Sequence, residues 1–285
     1  MLSLSQAIFH MRKPLFYLGQ VERYIDVVQA YVSAAAPPRA MAPLMLASAL
    51  AELGRIQESH AAAESLPGAS TEHGTIRDLV LRLELANAWH DAPAAEALAT
   101  QLAPVAHLAA VDSMPNIARL IGTAAVLRGD VASARTHFEL AVERTRQIRF
   151  RPELALSRLH LAELLLEHFP NESPRALEHL HAAAAEFEAM GMRPALARAQ
   201  HYLDLVSSGA VANRSRPLPG GLTARECEVA AMLGAGVSNR EIAQALVISD
   251  GTVGVHVKHI LSKLEFKSRA QVAVWAAEHG LVQRS

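Results

Sequence analysis

Residues 238–264 read SNREIAQALVISDGTVGVHVKHILSKL, and this stretch decides the fold of the C-terminal part of the chain. Its pattern predicts a short capped helix, a tight turn and a second, longer helix. At about 100° per residue, the second helix gathers an apolar side that should face a core, formed by Val253, Val257, Ile260, Leu261 and Leu264. Its opposite side carries Gly251, Val255, Lys258, His259 and Ser262. That mixture suits a DNA major groove, because lysine can bond guanine or a phosphate and valine can lie against a thymine methyl group.

Helix starts within residues 222–285 are marked by three capping boxes, formed by Thr223 with Glu226, Ser238 with Glu241, and Ser268 with Gln271. Ser249 is the predicted cap of the remaining helix, and Gly234 and Gly236 are predicted to end the first helix. Helices this short are unstable alone, so we expect a shared core of Leu222, Val229, Leu233, Ile242, Ala243, Leu246, Val253, Val257, Ile260, Leu261, Leu264, Val272 and Trp275. Cys227 is expected to pack as a small apolar residue, with a sensing thiol as the alternative.

Residues 222–282 closely resemble the LuxR-type helix-turn-helix DNA-binding domain. The segments that carry the resemblance are LTARE, SNREIA, IS-x-x-TV, the His256 position, I-x-x-KL and KSRAQ-x-AV. The resemblance implies four helices, of which the third, about 250–264, enters the major groove of double-stranded DNA. It implies a DNA-facing set of Ser238, Asn239, Arg240, Thr252, Val255, Lys258, His259 and Lys263. It also implies that the fourth helix, about 269–279, supports a homodimer on DNA, and our candidates for that surface are Ala270, Val274 and Ala277.

Roles within the DNA-facing set differ. Val255 and Lys258 should meet base edges or nearby phosphates, and His259 shares their outward face. Thr252, Lys263 and the start of the second helix at residues 238–240 should contact the DNA backbone, because a helix N-terminus offers N–H groups to a phosphate.

Gly254 departs from the pattern of this family, which usually has lysine directly after Thr-Val. A mid-helix glycine costs about 1 kcal/mol relative to alanine. Residues 222–285 contain seven Lys and Arg against six Asp and Glu. Fewer phosphate contacts mean weaker binding and a shallower salt dependence, so we predict modest affinity for an isolated domain. The alternative is a helix-turn-helix fold that no longer reads DNA.

Composition of the whole chain favours helices. Its 285 residues suffice for about two domains. They are 51% hydrophobic but only 5% aromatic, and alanine and leucine prefer helix over sheet. Nothing in the sequence indicates a signal peptide or a membrane span, and a single cysteine fits a reducing cytoplasm. The net charge of −1 does not indicate a nucleic-acid binder, so a DNA role must rest on local arrangement.

Residues 1–206 contain an internal repeat. Turn signals occur at residues 18–20, 53–55, 88–91, 128–130 and 169–171. They are spaced by roughly 35 to 42 residues, the range of helical-hairpin solenoids. The last two units align at an offset of 42 positions, pairing Ala134 with Ala176, Phe138 with Leu180, Ala141 with Ala183, Ile148 with Met190, Arg151 with Arg193, Pro152 with Pro194, Leu154 with Leu196, and Ala155 with Ala197. Small residues let neighbouring helices approach closely, and the larger ones fill the gaps between them, as a stacked helical array requires.

These units resemble degenerate tetratricopeptide (TPR) repeats. Residues 122–199, with RGDVASARTHFELAVERTRQIRFRPELALSRLHLAELLLE and AAAAEFEAMGMRPALARA, resemble the helical region that precedes the C-terminal domain of large ATP-binding LuxR-family regulators. The resemblance implies a scaffold that binds a protein or a small-molecule effector; alternatively, the repeats only space and solubilise the C-terminal domain. The ATPase is missing, since the phosphate-binding loop G-x-x-x-x-G-K-[ST] does not occur.

The sequence therefore predicts an all-α chain: a TPR-like helical-hairpin solenoid (1–206), a linker (207–221) and a four-helix LuxR-type domain (222–285). The function predicted is a cytoplasmic transcription regulator, without cofactor, metal or membrane association. No hydrolase motif occurs, and His179 and His181, two apart on a helix, are poorly placed for a shared metal, so an enzyme is not expected. The competing hypothesis is a TPR-like adaptor whose C-terminal domain makes protein contacts only.

Overall fold

A computed structural model describes residues 4–33, 41–64, 75–108, 115–208, 219–222, 224–246 and 250–281, without the side chains at 5, 219, 224 and 250–252. Every regular element within these residues is a helix, which confirms the all-α fold class. None of the described helices is long and apolar enough to cross a membrane. The chain divides into two compact units, Met1–Asp204 and Leu205–Ser285. Most of the predicted linker at 207–221 lies outside the described residues, and the predicted domain boundaries stay predictions.

The first unit is a succession of α-helices. In chain order they are α1 (Leu4–Tyr17), α2 (Val21–Ser33), α3 (Ala42–Glu52), α4 (Ile56–Glu64), α5 (Ile76–Trp89), α6 (Ala92–Leu102), α7 (Ile117–Leu127), α8 (Val131–Gln147), α9 (Arg151–His168), α10 (Ser173–Met190) and α11 (Arg193–Ser207). Short 3-10 turns occupy Ala103–Val105 and Pro170–Glu172. The end of α11 extends past the boundary of the unit.

All five predicted turns join an odd-numbered helix to the even-numbered helix that follows it. At Gly129 the backbone reverses with φ +76°, a left-handed conformation that glycine adopts without steric cost. Asp130 then caps α8 by accepting a hydrogen bond from the Ser133 N–H at 3.0 Å. Asp91 caps α6 in the same way, from the Ala94 N–H at 3.1 Å. These short reversals make each odd-numbered helix from α1 to α9 and the helix that follows it a hairpin.

The hairpins pack in the order of the sequence. From α1 to α4, and again from α5 to α10, each helix packs against the next. The odd-numbered helices α1, α3, α5 and α7 also contact one another in turn. The odd-numbered helices α1, α3, α5 and α7 therefore form one layer of the first unit, and each even-numbered helix from α2 to α10 packs against at least one odd-numbered neighbour.

The repeat predicted at an offset of 42 residues is visible in the burial of α8 and α10. The side chains at both sets of matched positions are at most 2% exposed, namely Ala134, Phe138, Ala141, Ala176, Leu180 and Ala183. The correspondence fails in the helices that follow, because Ala155 is buried and Ala197 is exposed. The physical reason is that α9 packs between α8 and α10, whereas α11 is the last helix of the unit.

A fully buried carboxylate, that of Glu153 in α9, joins three helices of the first unit. Its oxygens accept hydrogen bonds from Arg119 Nε of α7 at 2.9 Å and from the Tyr17 hydroxyl of α1 at 2.8 Å. The backbone N–H of Asn116 donates to it as well, at 3.0 Å. Burial alone would raise the pKa of Glu153, but the Arg119 guanidinium and these bonds hold the pKa below its ordinary value. The carboxylate therefore stays ionised in the folded chain at neutral pH.

The second unit is a small helical bundle. It contains a 3-10 turn at Pro219–Gly221 and the helices α12 (Ala224–Gly234), α13 (Asn239–Leu246), α14 (Asp250–Lys263) and α15 (Arg269–Glu278). The predicted core residues all lie in its hydrophobic cluster, most of them buried and Leu246, Val257, Leu261 and Leu264 partly buried. Cys227 is buried there too, and burial together with Glu226 and Glu228 raises the pKa of its thiol. This supports packing rather than sensing as the role of the cysteine.

We predict that Gly122→Ala destabilises the first unit. A Cβ at Gly122 of α7 would lie 2.5 Å from two ring atoms of Phe138, which is buried in α8. Alanine gains about 1 kcal/mol in helix propensity, but overpacking costs about 1–3 kcal/mol. We expect a net loss in the free energy of unfolding, measured by urea titration. The double variant with Phe138→Leu should recover part of it, and a more stable single variant would contradict the close approach of α7 and α8.

We also predict that Glu153→Gln lowers the free energy of unfolding by about 3 kcal/mol or more at pH 7, because it leaves the buried Arg119 without its counter-charge. The exposed pair of Arg55 and Glu58 provides the control, and Glu58→Gln should change little. Since the folded pKa of Glu153 lies below the ordinary value of 4.5, its contribution is present above that pH and is lost as the pH falls through the folded pKa. The difference between wild type and variant should therefore shrink on acidification, and a constant difference would be evidence against the ionised pair.

Candidate nucleic-acid interface

The apolar side of α14 fixes the orientation of this helix in the second unit. Val253 and Ile260 are fully buried, and Val257, Leu261 and Leu264 pack partly buried against the same core. Because these residues recur at helical spacing, the opposite side must face away from the bundle. The structure therefore confirms the predicted core-facing side of α14.

The outward side of α14 contains the predicted base-reading residues. Lys258 is exposed, and Val255 and His259 are partly exposed beside it. Thr252 lies within α14, but its side chain is outside what the structure describes. A Cβ built at Gly254 would meet no atom within 4 Å, so a longer side chain fits at this position without a clash.

A reciprocal capping box positions the start of α13, as predicted. The Ser238 N–H donates to Glu241 Oε2 at 2.9 Å, and the Glu241 N–H donates to Ser238 Oγ at 3.4 Å. The side-chain and backbone hydrogen bonds from Ser238 lower the pKa of Glu241. Ser238 and Arg240 are exposed at this helix start, and Asn239 is partly buried between them. A helix N-terminus with an adjacent exposed arginine is well suited to a phosphate group.

Sequence reasoning missed an ion pair that involves Lys263 at the end of α14. Lys263 Nζ donates to Glu226 Oε2 of α12 at 2.7 Å, and the Glu226 side chain is only 4% exposed. The sequence predicts Glu226 in a capping box with Thr223, a residue outside the described part of the chain. The two partners are 37 residues apart, so no local pattern connects them. The pair ties α14 to α12, and a phosphate contact from Lys263 would have to share its ammonium with Glu226.

Two arginines bracket α13 in a way that the sequence did not show. Arg225 Nη2 donates to the carbonyl of Leu246 at 2.8 Å, at the end of α13. Arg269 Nη2 donates to the carbonyl of Val237 at 3.0 Å, just before its start. Both ends of α13 are therefore fixed by side chains from α12 and α15. The predicted cap Ser249, in the turn from α13 to α14, lies outside the described residues.

The predicted dimer surface lies on α15. Its N-terminus is fixed by the third capping box, in which Ser268 and Gln271 exchange hydrogen bonds. Ala270, Val274 and Ala277 are all exposed, and Val274 is 59% exposed. Ala270 and Val274 also line a shallow groove with Phe266 and Trp275. The groove is also lined by Gln271 and Glu278. The three predicted residues are apolar and accessible, and their role in dimerisation stays a prediction.

Comparison with known proteins identifies the C-terminal domain. Residues 221–276 match the family model described as bacterial regulatory proteins, luxR family. The transcriptional regulatory protein LnrK of Bacillus subtilis (strain 168) is 48% identical over 60 residues, 21% of this chain and 27% of LnrK. The response regulator protein VraR of Staphylococcus aureus (strain NCTC 8325 / PS 47) is 47% identical over 62 residues, 22% of this chain and 30% of VraR. The chain thus covers less than a third of either relative's length.

No solved structure matches the chain. The family match confirms the predicted LuxR-type helix-turn-helix domain at the C-terminus. The resemblance of residues 122–199 to the large ATP-binding regulators stays a prediction.

We predict that Gly254→Lys tightens DNA binding, because it adds a cation on the outward side of α14 where the structure has open space. Each added phosphate contact should steepen the slope of log K against log salt by about 0.9. Gly254→Ala is the matched control, since it adds about 1 kcal/mol of helix stability without a charge. Both variants are measured by fluorescence anisotropy over a salt series. Equal affinities for the lysine variant and the alanine control would argue against an α14 that faces DNA.

Proposed function

We propose that this chain is a sequence-specific DNA-binding transcription regulator of the cytoplasm, whose C-terminal domain reads an operator as a homodimer and whose helical first unit receives a signal. The observation that carries the proposal is that α14 has a buried apolar side and an outward side with Lys258. This helix lies in a domain that matches the luxR family. The name of LnrK describes a transcriptional regulator, which supports the same role here.

Major-groove recognition needs donors and apolar contacts on one exposed helix face. Lys258 can donate to guanine O6 and N7 or to a phosphate, and Val255 can pack on a thymine methyl group. Arg240, with the N–H groups at the start of α13, would hold a phosphate and thereby set the register of α14. His259, Thr252 and Lys263 complete the proposed interface, with Lys263 shared between Glu226 and the DNA backbone.

Dimerisation would supply affinity that one domain lacks. The nearly balanced charge of residues 222–285 leaves few phosphate contacts to each copy. We propose that Ala270, Val274 and Ala277 of α15 pair with the same residues of a second copy. Two-fold proteins of this kind read half-sites about one helical turn apart, so the operator should be an inverted repeat with that spacing.

The first unit would act as the signal-receiving part. Its hairpin turns and its layer of odd-numbered helices support a TPR-like solenoid, an architecture whose inner surface commonly binds other molecules. The name of VraR describes a response regulator, but a receiver domain alternates strands and helices, and the described part of this first unit contains helices alone. We therefore propose a signal that binds to the helices as a protein or small-molecule effector.

A second candidate function is a protein-interaction adaptor whose helix-turn-helix no longer reads DNA. Two observations favour it: Gly254 replaces a cation usual in the family, and Lys263 is paired with a buried carboxylate. Both reduce the positive charge that α14 presents to a duplex. The adaptor hypothesis requires that the chain does not bind DNA fragments selectively, even at low salt.

Selection of genomic fragments by the full chain, followed by competition against random DNA, tests the proposed function. We expect the selected sites to bind about 1,000-fold or more tightly than random DNA. Lys258→Met should lose about tenfold in affinity for them, and the loss should be sequence-dependent if Lys258 contacts a base. Lys267→Met, an exposed lysine in the turn before α15, is the charge-matched control. An absence of enrichment at low salt, or equal losses for the two variants, would contradict the proposed reading helix.

A further inference from the structure

A cavity of about 420 Å³ lies in the first unit, and its walls come from the layer of odd-numbered helices. Its described lining is drawn from α1, α3, α5, α7, α9 and α11, together with Met192 in the turn before α11. The volume is within the range of about 300–1,000 Å³ typical of small-molecule sites. One cavity therefore brings together residues from every odd-numbered helix of the unit.

The charges around this cavity are unequally paired. Four cationic side chains line it: Arg12, Lys13, Arg119 and Arg198. Arg119 and Arg198 each donate to a carboxyl group of their own behind the wall, those of Glu153 and Glu163, and burial raises the pKa of Glu163 to about 7. Arg12 and Lys13 share one carboxylate, that of Glu84, which accepts from Arg12 Nη2 at 2.6 Å and from Lys13 Nζ. The other acidic residue of the lining, Glu52, is exposed to solvent. One cation of the Arg12–Lys13 pair is therefore left without a buried counter-charge.

The protonation states of the neighbouring groups do not remove this imbalance. Burial would raise the pKa of Glu84, but Arg12 and Lys13 outweigh it and hold the pKa at about 2. Glu84 thus already contributes its full negative charge. Burial lowers the pKa of Lys13 in spite of Glu84, as expected for an incompletely compensated ammonium group. Burial, with Arg198 and Arg119, holds the pKa of the lining residue His160 well below its ordinary value, so this imidazole is neutral.

Two buried polar atoms of the lining residues lack a hydrogen-bond partner among the described residues. They are Arg12 Nε, a donor, and Asn87 Oδ1, an acceptor. The two side chains are 1% and 8% exposed, and both line the cavity. Asn87 is held in place because its Nδ2 donates to the carbonyl of Leu120 at 3.0 Å. Buried polar groups are nearly always paired, so these two call for a ligand that accepts at Arg12 and donates at Asn87.

The remainder of the wall is largely apolar and includes Phe16, Leu85, Leu120, Leu156 and Leu159. A few polar groups in an apolar cavity are typical of sites for organic molecules. The occupant should therefore combine a negative group, a hydrogen-bond donor and an apolar body.

We propose that this cavity is the effector site, and that it binds a small organic carboxylate with an apolar body and a hydroxyl or amide N–H group. The carboxylate supplies the missing counter-charge to Arg12 and Lys13, and the donor bonds Asn87 Oδ1. This inference rests on the proposed signal-receiving role of the first unit. Two contacts between the first and last parts of the unit favour a small molecule over a peptide. Tyr17 of α1 donates to Glu153 of α9, and a Cβ at Gly19, in the turn after α1, would lie 3.0 Å from Pro194 Cγ of α11.

Calorimetric titration of the full chain with a panel of small mono- and dicarboxylates tests the proposal. The panel contains a matched set of one shape: 4-hydroxyphenylacetate, its neutral amide 4-hydroxyphenylacetamide, and the cationic amine tyramine. We expect at least one carboxylate to bind, and any neutral or cationic partner of the same shape to bind at least about tenfold more weakly, a difference that one buried charge pair readily provides. Saturation at about 100 times Kd should raise Tm by about 5 °C or more.

Lys13→Met and Leu156→Trp are the informative variants. Lys13→Met leaves Arg12 and Glu84 as a balanced pair, so we expect an unchanged or higher Tm and at least a tenfold loss in carboxylate affinity. Leu156→Trp fills the cavity without touching a charge and should abolish binding. Arg146→Met, an exposed arginine, is the control and should bind as wild type does.

The proposal is wrong if no carboxylate of the panel raises Tm more in wild type than in Leu156→Trp, if the neutral amides bind as well as the acids, or if Lys13→Met retains full affinity. Binding of peptides in place of small acids would show a protein partner and overturn it as well. DNA binding is measured on the same preparations. Failure of carboxylate binding with intact DNA binding rejects this inference alone, and the converse result rejects the DNA-reading function alone.

Discussion

The buried carboxylate of Glu153 is the constraint on which the first unit depends. It joins side chains or backbone from α1, α7 and α9, and its bond to Tyr17 spans 136 residues. A carboxylate with no exposure is tolerated only when its oxygens are fully engaged by donors and a counter-charge. The helices that provide these donors are consequently held in one relative position. They are also walls of the cavity, so the same interaction sets the geometry of the proposed effector site.

Local patterns in the sequence were sufficient for the helices and turns. Residues 128–130 are a predicted turn, and the structure has a reversal at Gly129 and a helix cap at Asp130 there. The apolar side of α14 could be predicted because helical periodicity connects Val253 to Ile260 without reference to any other element. Capping boxes at Ser238 and Ser268 are equally local, and both are present.

Long-range charge pairs could not be predicted, for a physical reason. Arg119 and Glu153 are 34 residues apart, and Lys263 and Glu226 are 37 apart, so which charges meet depends on how the helices pack. Lys13 illustrates the difficulty, because in the sequence it resembles an exposed cation at a helix surface, and in the structure it is buried beside Glu84. The cavity was invisible for the same reason: its lining is gathered from six helices spread over nearly the whole first unit. The sequence predicted an effector but could not indicate where it binds.

The link from Tyr17 to Glu153 has a further consequence for how the first unit unfolds. In an open repeat array each hairpin touches only its neighbours, so the ends can fray independently and whole repeats can be removed. Here α1 is bonded to α9, and Gly19, in the turn after α1, lies against Pro194 at the start of α11, the last helix of the unit. Loss of α1 would remove the Tyr17 hydroxyl from the buried pair of Arg119 and Glu153, which lies in the middle of the array and not at its edge. The unit should consequently melt as a single cooperative block, and it has no terminal repeat that can be deleted without cost.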